Sequence, residues 1–198
     1  MKKMDKKSET RSKLLDAAFI EVYVNGYHGA STAAILKIAN TPKGSMYHFF
    51  PSKKALVLAV IKERIFPKMD YFFDFTYQNE KSVLQTIEQI FQNMGQHAFL
   101  IQNGCPMYRL MVEMAPLDED FNKILNEHFK QFTDQLSELL KKAIELNEFN
   151  AFDTEGFSRF MITSTWGALS VSPSLSSRKN FEQHYNLILD LLKTKISH

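Results

Sequence analysis

Apolar residues recur every three or four positions through most of the chain, which is the spacing of amphipathic α-helices. After residue 80 there is no run that alternates apolar and polar residues as a half-buried strand does. The pattern predicts an all-α fold of about nine helices, two of them short and within residues 32–53. The others are expected at 8–25, after Ser52, at 81–102, up to Met114, and at 118–149, 154–172 and 177–196. Gly26 should end the first of these helices, and Pro67 should kink or divide the one that follows Ser52.

The segment 32–53 predicts two short helices joined by a tight turn. Ile35 falls at a spacing that faces a core, and Asn40 stands where the chain must leave the first helix. Asparagine tolerates the left-handed backbone conformation that a helix end often needs. Thr41 is expected to be the N-cap of the second helix, with Pro42 at its first position, where a missing N–H costs nothing.

The second short helix is notable for its polar positions. Met46 can turn inward, which leaves donors, hydroxyls and a glycine on the outside. A helix in the major groove of DNA needs donors for base edges, small residues near the backbone and hydroxyls for phosphates. The residues predicted to contact DNA are Thr32, Thr41, Lys43, Gly44, Ser45, Tyr47, His48 and Lys53.

This region resembles the DNA-binding domain of tetracycline-repressor-type (TetR) transcriptional regulators over roughly residues 10–62. The resemblance implies a homodimeric one-component regulator, most often a repressor, which leaves a palindromic double-stranded operator when a small-molecule inducer binds its second domain. Asn40 departs from the glycine usual in the family. The matching positions are Leu14, Leu15, Asp16, Ala17, Ala18, Gly26, Tyr27, Ile35, Ala39, Lys43, Gly44, Ser45, Tyr47, Phe50, Pro51, Ser52, Lys53, Ala55 and Leu56.

Charge divides the chain into a basic and an acidic part. Residues 1–68 hold 13 Lys and Arg against 5 Asp and Glu, whereas residues 69–198 hold 11 against 17, although the net charge is only +2. A polyanion is therefore expected at one end only. The N-terminal lysines are expected to touch phosphates, the alternative being a merely solubilising tail. These lysines are Lys2, Lys3, Lys6 and Lys7.

Composition narrows the class of protein further. The hydrophobic fraction is 44%, no apolar run has the length of a membrane span, and no charged-then-apolar leader is present, so we expect a cytoplasmic protein with no membrane contact. A single cysteine excludes an intrachain disulfide. Histidines have no metal-ligand spacing and no phosphate loop exists, so neither a metal nor a cofactor is expected, and no enzymatic activity.

We divide the chain into a DNA-binding domain, 1–52, and a regulatory and dimerisation domain, 53–198. The second is rich in methionine and aromatic residues, which make an adaptable lining for an apolar ligand. Plain core packing is the competing interpretation for each of them. The residues predicted to line an inducer site are Met94, His97, Cys105, Met107, Tyr108, Met111, Phe129, Phe132 and Trp166.

Cys105 lies in a Gly-Cys-Pro break between helices and admits two interpretations. Backbone donors there, together with Arg109 one turn later, would favour a reactive thiolate that senses oxidants or electrophiles. The alternative is a buried structural thiol. The sequence leaves both open.

The last two helices are expected to form a two-fold dimer, because one short recognition helix reads too few base pairs for genomic specificity. The competing classes are a ligand-binding or enzymatic helical protein with an incidentally basic N-terminus, and a nonspecific architectural DNA-binding protein. The residues predicted at the dimer interface are Phe157, Phe160, Met161, Leu169, Phe181, Tyr185, Ile188 and Leu192.

Overall fold

The computed structural model describes residues 6–175 and 178–197, so Lys2, Lys3 and the expected start of the last helix at 177 lie outside the described residues. The all-α prediction is confirmed. Two predicted helices are each divided, the one after Ser52 into α4, a π-helical turn and α5, and that at 81–102 into α6 and α7. In chain order the elements are α1 (Lys6–Gly29), α2 (Thr32–Ile38), α3 (Lys43–Phe49), α4 (Lys53–Val60), the π-helical turn (Ile61–Ile65), α5 (Phe66–Phe72), α6 (Val83–Gln96), α7 (Ala98–Asn103), α8 (Pro106–Met114), α9 (Glu119–Glu145), α10 (Thr154–Leu175) and α11 (Arg178–Lys193).

Helix α1 packs against α2, α3 and α4 and so carries the core of the N-terminal domain, which is predicted to bind DNA. Its backbone leaves the helical conformation at Gly26, where φ is 75°, and one further turn follows to Gly29. The expected end of the first helix at Gly26 is therefore confirmed. The side chains buried in this core include Leu14, Leu15, Ala18, Val22, Ile35, Met46, Phe50 and Leu56.

The rod formed by α4, the π-helical turn and α5 links the two parts of the chain. The irregular turn ends at Ile65, two residues before Pro67, which has no N–H to donate to the carbonyl of Glu63. Arg64 Nη1 donates to that carbonyl instead, at 3.0 Å. The division expected at Pro67 thus occurs one turn earlier, because the backbone adjusts before the proline. Ion pairs from Arg11 to Glu63 and from Arg64 to Asp16 attach the turn to α1.

Helix α9 is the long central element of the second domain, with α10, α6 and α8 packed on it and α11 packed on α10 and α6. Its wide apolar stripe is buried, as the sequence predicts. The helix ends at Glu145, earlier than predicted, because Asn147 takes a left-handed conformation with φ 58°. Fully buried side chains at the centre of this domain include Phe91, Phe121, Phe132, Trp166 and Phe181.

His128 on α9 joins the rod to this core. Its ring stacks on Phe66 at 3.6 Å between centroids, and its Nε2 lies 3.1 Å from Asp70 Oδ1. Burial lowers the pKa of His128 below the ordinary value of 6.5, and this effect exceeds the opposing attraction of the Asp70 carboxylate. The imidazole is therefore neutral in the folded protein at neutral pH.

This lowered pKa gives stability a pH dependence of definite sign. Below the unfolded value of 6.5 the unfolded chain binds a proton that the folded chain resists, so the free energy of unfolding should fall as pH drops from about 7 to 5.5. We expect His128→Phe to show a shallower fall in urea titrations over this range. An unchanged slope would contradict a neutral buried His128. His184, whose pKa burial also lowers, remains as a residual contributor in the variant.

Candidate DNA-binding surface and regulatory site

The turn between α2 and α3 forms largely as the sequence predicts. Ser31 caps α2 by accepting from Ala34 N at 3.4 Å, and Asn40 takes the expected left-handed conformation with φ 47°. The N-cap prediction for Thr41 is wrong. Its Oγ1 donates to the carbonyl of Ala39 at 3.0 Å, and Pro42 takes the N-cap position, without a side-chain cap. The hydroxyl has a nearer acceptor behind it, in the end of α2.

Helix α3 is anchored by one side and open on the other. Met46 is completely buried, and Phe50 just after the helix is buried as well. On the opposite side Lys43, Gly44, Tyr47 and His48 are exposed, with Ser45 partly exposed. Lys43 Nζ lies 5.9 Å from the centroid of the Tyr47 ring. The helix thus presents a cation, a phenol and an imidazole to solvent within two turns.

The remaining predicted DNA contacts lie at the starts of the neighbouring helices. Thr32 is the first residue of α2 and Lys53 the first of α4, and both are half-buried. Lys53 Nζ lies 4.8 Å from the centroid of the Tyr27 ring. Ser52 caps α4 by accepting from Ala55 N at 3.0 Å, which confirms the predicted start of that helix.

Two protein-family models match the chain. One, described as bacterial regulatory proteins of the tetR family, matches residues 14–60, and the other, described as a tetracyclin repressor-like C-terminal domain, matches residues 83–187. The chain belongs to the tetR family. It is a DNA-binding transcriptional regulator, as the sequence predicts, and the interpretation of its basic N-terminus as incidental is abandoned because the family's DNA-binding domain matches there.

Individual relatives of this family member agree with the assignment. An HTH-type transcriptional regulator in the lacX 3′ region of Lactococcus lactis is 32% identical over 135 residues, covering 66% of this chain and 68% of the relative. The HTH-type transcriptional repressor NemR of Escherichia coli K12 is 26% identical over 141 residues, covering 69% and 70%.

Solved structures agree in fold. A TetR-family transcriptional regulator from Cytophaga hutchinsonii superimposes with a TM-score of 0.87 at 20% identity, over 100% of both chains. The reduced form of Escherichia coli NemR superimposes with a TM-score of 0.78 at 21% identity, over 95% of this chain and 98% of the other. None of the helices described in this tetR regulator is long and apolar enough to cross a membrane.

None of the clefts known to be lined by the described residues gathers all nine predicted inducer-site residues. His97 lines a cleft of about 370 Å³ beside α1 and α5, while Cys105 and Tyr108 line another of about 290 Å³ beside α8. The other six line neither cleft and pack in or against the core, because the same flexible and planar side chains that can surround a ligand can also fill the space themselves. These six are Met94, Met107, Met111, Phe129, Phe132 and Trp166.

Trp166 is the most informative residue of that core. Its ring centroid lies 5.5 Å from that of Tyr108 and 5.2 Å from that of Phe129. The side chain is 1% exposed, yet its buried Nε1–H has no hydrogen-bond partner within the described protein. A buried donor without an acceptor costs free energy. This N–H is therefore a place where a ligand acceptor would be favourable.

A third and larger cleft, of about 550 Å³, lies between the end of the rod and α9 and was not predicted from the sequence. Its apolar lining includes Phe73, Phe75 and Tyr77, and Asp74 and Glu138 are among the acidic residues around it. Helical periodicity does not indicate which face of α9 lies opposite these aromatic residues, so the cleft could not be predicted from the sequence.

Cys105 is buried and serves as the N-cap of α8. Its Sγ accepts from Tyr108 N at 3.5 Å and lies 3.7 Å from Met69 Sδ. Burial raises the pKa of Cys105 to about 12, in spite of the backbone donors that were expected to lower it. Arg109 does not assist a thiolate, since its Nη1 donates to Val24 O at 2.6 Å. Of the two interpretations, the geometry favours the structural thiol.

A thiol with this pKa should react slowly in the native protein. At pH 8 we expect N-ethylmaleimide to modify Cys105 at least about 100-fold more slowly in native protein than in denatured protein, where the pKa is about 8.5. Mass spectrometry over a time course measures both rates. Comparable rates would restore the sensor interpretation.

The predicted dimer residues require a partial correction. Met161, Leu169, Phe181, Ile188 and Leu192 are buried within a single chain, so they belong to its own core and not to an exposed interface. Periodicity identifies the apolar faces of α10 and α11, but each helix has two, one toward the protomer and one away from it. The outward faces carry Phe160 and Val171 on α10 and Leu187 and Leu191 on α11, with exposures of 43, 52, 67 and 48%.

Proposed function

We propose that this tetR-family chain is a homodimeric, cytoplasmic repressor without enzymatic activity, which binds a palindromic operator through α3 and leaves it when a small, largely apolar inducer binds the regulatory domain. The observation that carries the proposal is the open face of α3, with Lys43, Tyr47 and His48 exposed opposite the buried Met46. The name of the NemR relative, a transcriptional repressor, supports the sign of regulation.

We keep the eight predicted DNA contacts, with Lys43 at a base edge and Lys53 on a phosphate, and the domain boundary after residue 52. The different surroundings of the two lysines support this division. Lys43 is exposed on the first turn of α3, where recognition helices contact bases, whereas Lys53 is half-buried over Tyr27 at the start of another helix. Base contacts specify sequence and phosphate contacts position the protein.

Replacing each of the two lysines by alanine should therefore change DNA binding in a different way. Against an operator selected by the wild type from random duplex DNA, Lys43→Ala should lose about 1–3 kcal/mol and discriminate less among sequences. Lys53→Ala should weaken binding to all sequences alike and reduce the salt slope by about 1. Fluorescence anisotropy over a range of salt concentrations measures both.

Lys123→Ala is the matched control, since it removes the same charge from an exposed position on α9. It should bind the operator as the wild type does. Equal affinity of the wild type for the selected operator and for random DNA at physiological salt would contradict the proposed function.

The outward faces of α10 and α11 are the proposed dimer interface. Phe160 and Val171 fall on one stripe of α10 with Gly167 between them, and a side-chain carbon placed on Gly167 would meet nothing within 4 Å. Open space at a glycine lets a second backbone approach closely. Leu187 and Leu191 form the corresponding stripe of α11. A second copy of the same apolar faces would complete a four-helix contact.

Leu187→Glu should place an unpaired charge in that interface and yield monomers with little affinity for the operator. Leu117→Glu is the matched control, because Leu117 is 69% exposed, close to the 67% of Leu187, but lies between α8 and α9. Sedimentation at micromolar concentration distinguishes the two. A dimeric Leu187→Glu, or a monomeric wild type, would show that the interface is elsewhere.

For the inducer we propose the cleft beside α8, near Cys105, Tyr108 and the core around Trp166. Tyr108 lines this cleft and packs on Trp166, with 5.5 Å between the ring centroids, so a ligand that displaces Tyr108 would reach the unpaired Trp166 Nε1–H. A largely apolar molecule with one hydrogen-bond acceptor suits that position. The raised pKa of Cys105 supports reversible binding over attack by the thiol.

A further inference from the structure

Helix α8 contacts the DNA-binding domain through charged side chains as well as through its apolar face. The Glu113 carboxylate accepts from the backbone N–H of Tyr27 at 2.7 Å and from that of His28 at 2.8 Å. These donors open the short turn that follows the break in α1. A carboxylate at the start of a helical turn satisfies free N–H groups and interacts favourably with their dipoles.

Gly26 makes this approach possible. Its φ of 75° is one that residues with side chains rarely adopt, and a carbon added to it would lie 2.6 Å from Glu113 Oε2. The glycine thus provides both the reversal of the backbone and the space for the carboxylate.

Two further bonds link the same end of α1 to the regulatory domain. Arg109, one turn before Glu113, donates from Nη1 to Val24 O at 2.6 Å. Tyr23 OH donates to Gly104 O at 2.7 Å in a buried position. The guanidinium therefore meets the carbonyl end of α1 and the carboxylate meets the N–H end of the next turn, as helix dipoles favour. We name these contacts of Arg109 and Glu113 with Val24, Tyr27 and His28 the α1–α8 junction.

The junction borders the cleft that we assign to the inducer. Arg109 and Glu113 line the cleft of about 290 Å³ together with Cys105 and Tyr108. A molecule in this cleft therefore touches the side chains that bind the end of α1. In contrast, the ion pairs of Arg11 with Glu63 and of Arg64 with Asp16, which also join the two domains, lie outside the residues that line this cleft.

We propose that Arg109 and Glu113 are positioning residues that hold α1 in the DNA-competent arrangement and that occupancy of the cleft disengages them. The inference rests on the proposed function and adds a route through α8 and α1 to the expected one through the rod. A ligand shifts such an equilibrium only if it binds the two states unequally, and a ligand in contact with the junction does so directly.

Linkage makes the proposal testable without a known inducer. We call the state in which Arg109 and Glu113 bind the end of α1 the joined state. If the operator binds this state more tightly, bound operator must make the opening of α8 less favourable. By reciprocity, the opening of α8 weakens operator binding by the same factor. Cys105 caps α8 and is buried, so its rate of modification by N-ethylmaleimide reports that opening. The probe DNA is a duplex selected by the wild type from random sequence.

We expect saturating operator to slow modification of wild-type Cys105 at least about fivefold, by the linkage just described. In Glu113→Ala the modification rates with and without operator should agree within about twofold. The ratio of these rates in Glu113→Gln should lie between those of the wild type and Glu113→Ala. Glu127→Ala, which removes an exposed carboxylate from α9, should keep the wild-type ratio. Retention of the full ratio in Glu113→Ala would overturn the proposal.

Other outcomes separate this proposal from the proposed function. If the wild type binds the operator specifically but the operator does not change the rate of Cys105 modification, the proposal for the junction is wrong and the proposed function stands. If the wild type does not bind any DNA sequence specifically, the proposed function is wrong. If Glu113→Ala does not fold, as judged by cooperative thermal unfolding, Glu113→Gln and Arg109→Gln decide the matter. Full wild-type ratios in both would overturn the junction.

Discussion

The orientation of the recognition helix depends on how α1 is fixed. One side of α1 packs against α2, α3 and α4, and the other packs against α8. No other helix described contacts both the recognition helix and the regulatory core so extensively. The apolar packing along α1 is rigid because interiors are close-packed, so the DNA-binding domain moves with α1 as one unit. Whatever changes the seating of α1 on α8 changes the direction in which α3 points.

The polar contacts between the two domains have a different role from this packing. The ion pairs of Arg11 with Glu63 and of Arg64 with Asp16 are both at least partly exposed. Such pairs contribute little to stability, typically less than about 1 kcal/mol each. They are better understood as determinants of position, since each requires one geometry of the helices it joins. Weak but directional contacts between the domains suit a regulator, because a ligand of ordinary affinity can break them.

Much of the fold follows from the sequence, since periodicity, caps and backbone preferences are local. The buried Met46, the cap at Ser52 and the left-handed Asn40 needed only neighbouring residues for their prediction. The hydrogen bond of Thr41 could not be predicted, because its hydroxyl had two acceptable partners at a similar distance along the chain. Ile188 and Leu192 did not follow either, since an apolar stripe states that a face is buried but not against which partner.

The regulatory site shows the same limit more strongly. Methionine and aromatic residues predict a lining or a core equally well, and here six of the nine predicted residues pack in or against the core. The position of Glu113 in the last turn of α8 could have indicated a contact with another part of the fold. A carboxylate in the last turn of a helix opposes the helix dipole, so its presence there indicates a partner elsewhere in the fold.

The central claim is that the seating of α1 on α8 sets the spacing of the two α3 helices in the dimer. Lys37 is exposed near the end of α2, just before α3, so spin labels on Lys37→Cys in a Cys105→Ser background follow the position of the recognition helix. Pulsed electron paramagnetic resonance measures the distance between the two labels across the dimer without DNA. With Glu113 intact we expect a narrow distance distribution, compatible with two recognition helices about 34 Å apart, which is one turn of DNA. With Glu113→Ala the distribution should become broad. Equally narrow distributions at the same distance in both proteins would contradict the claim.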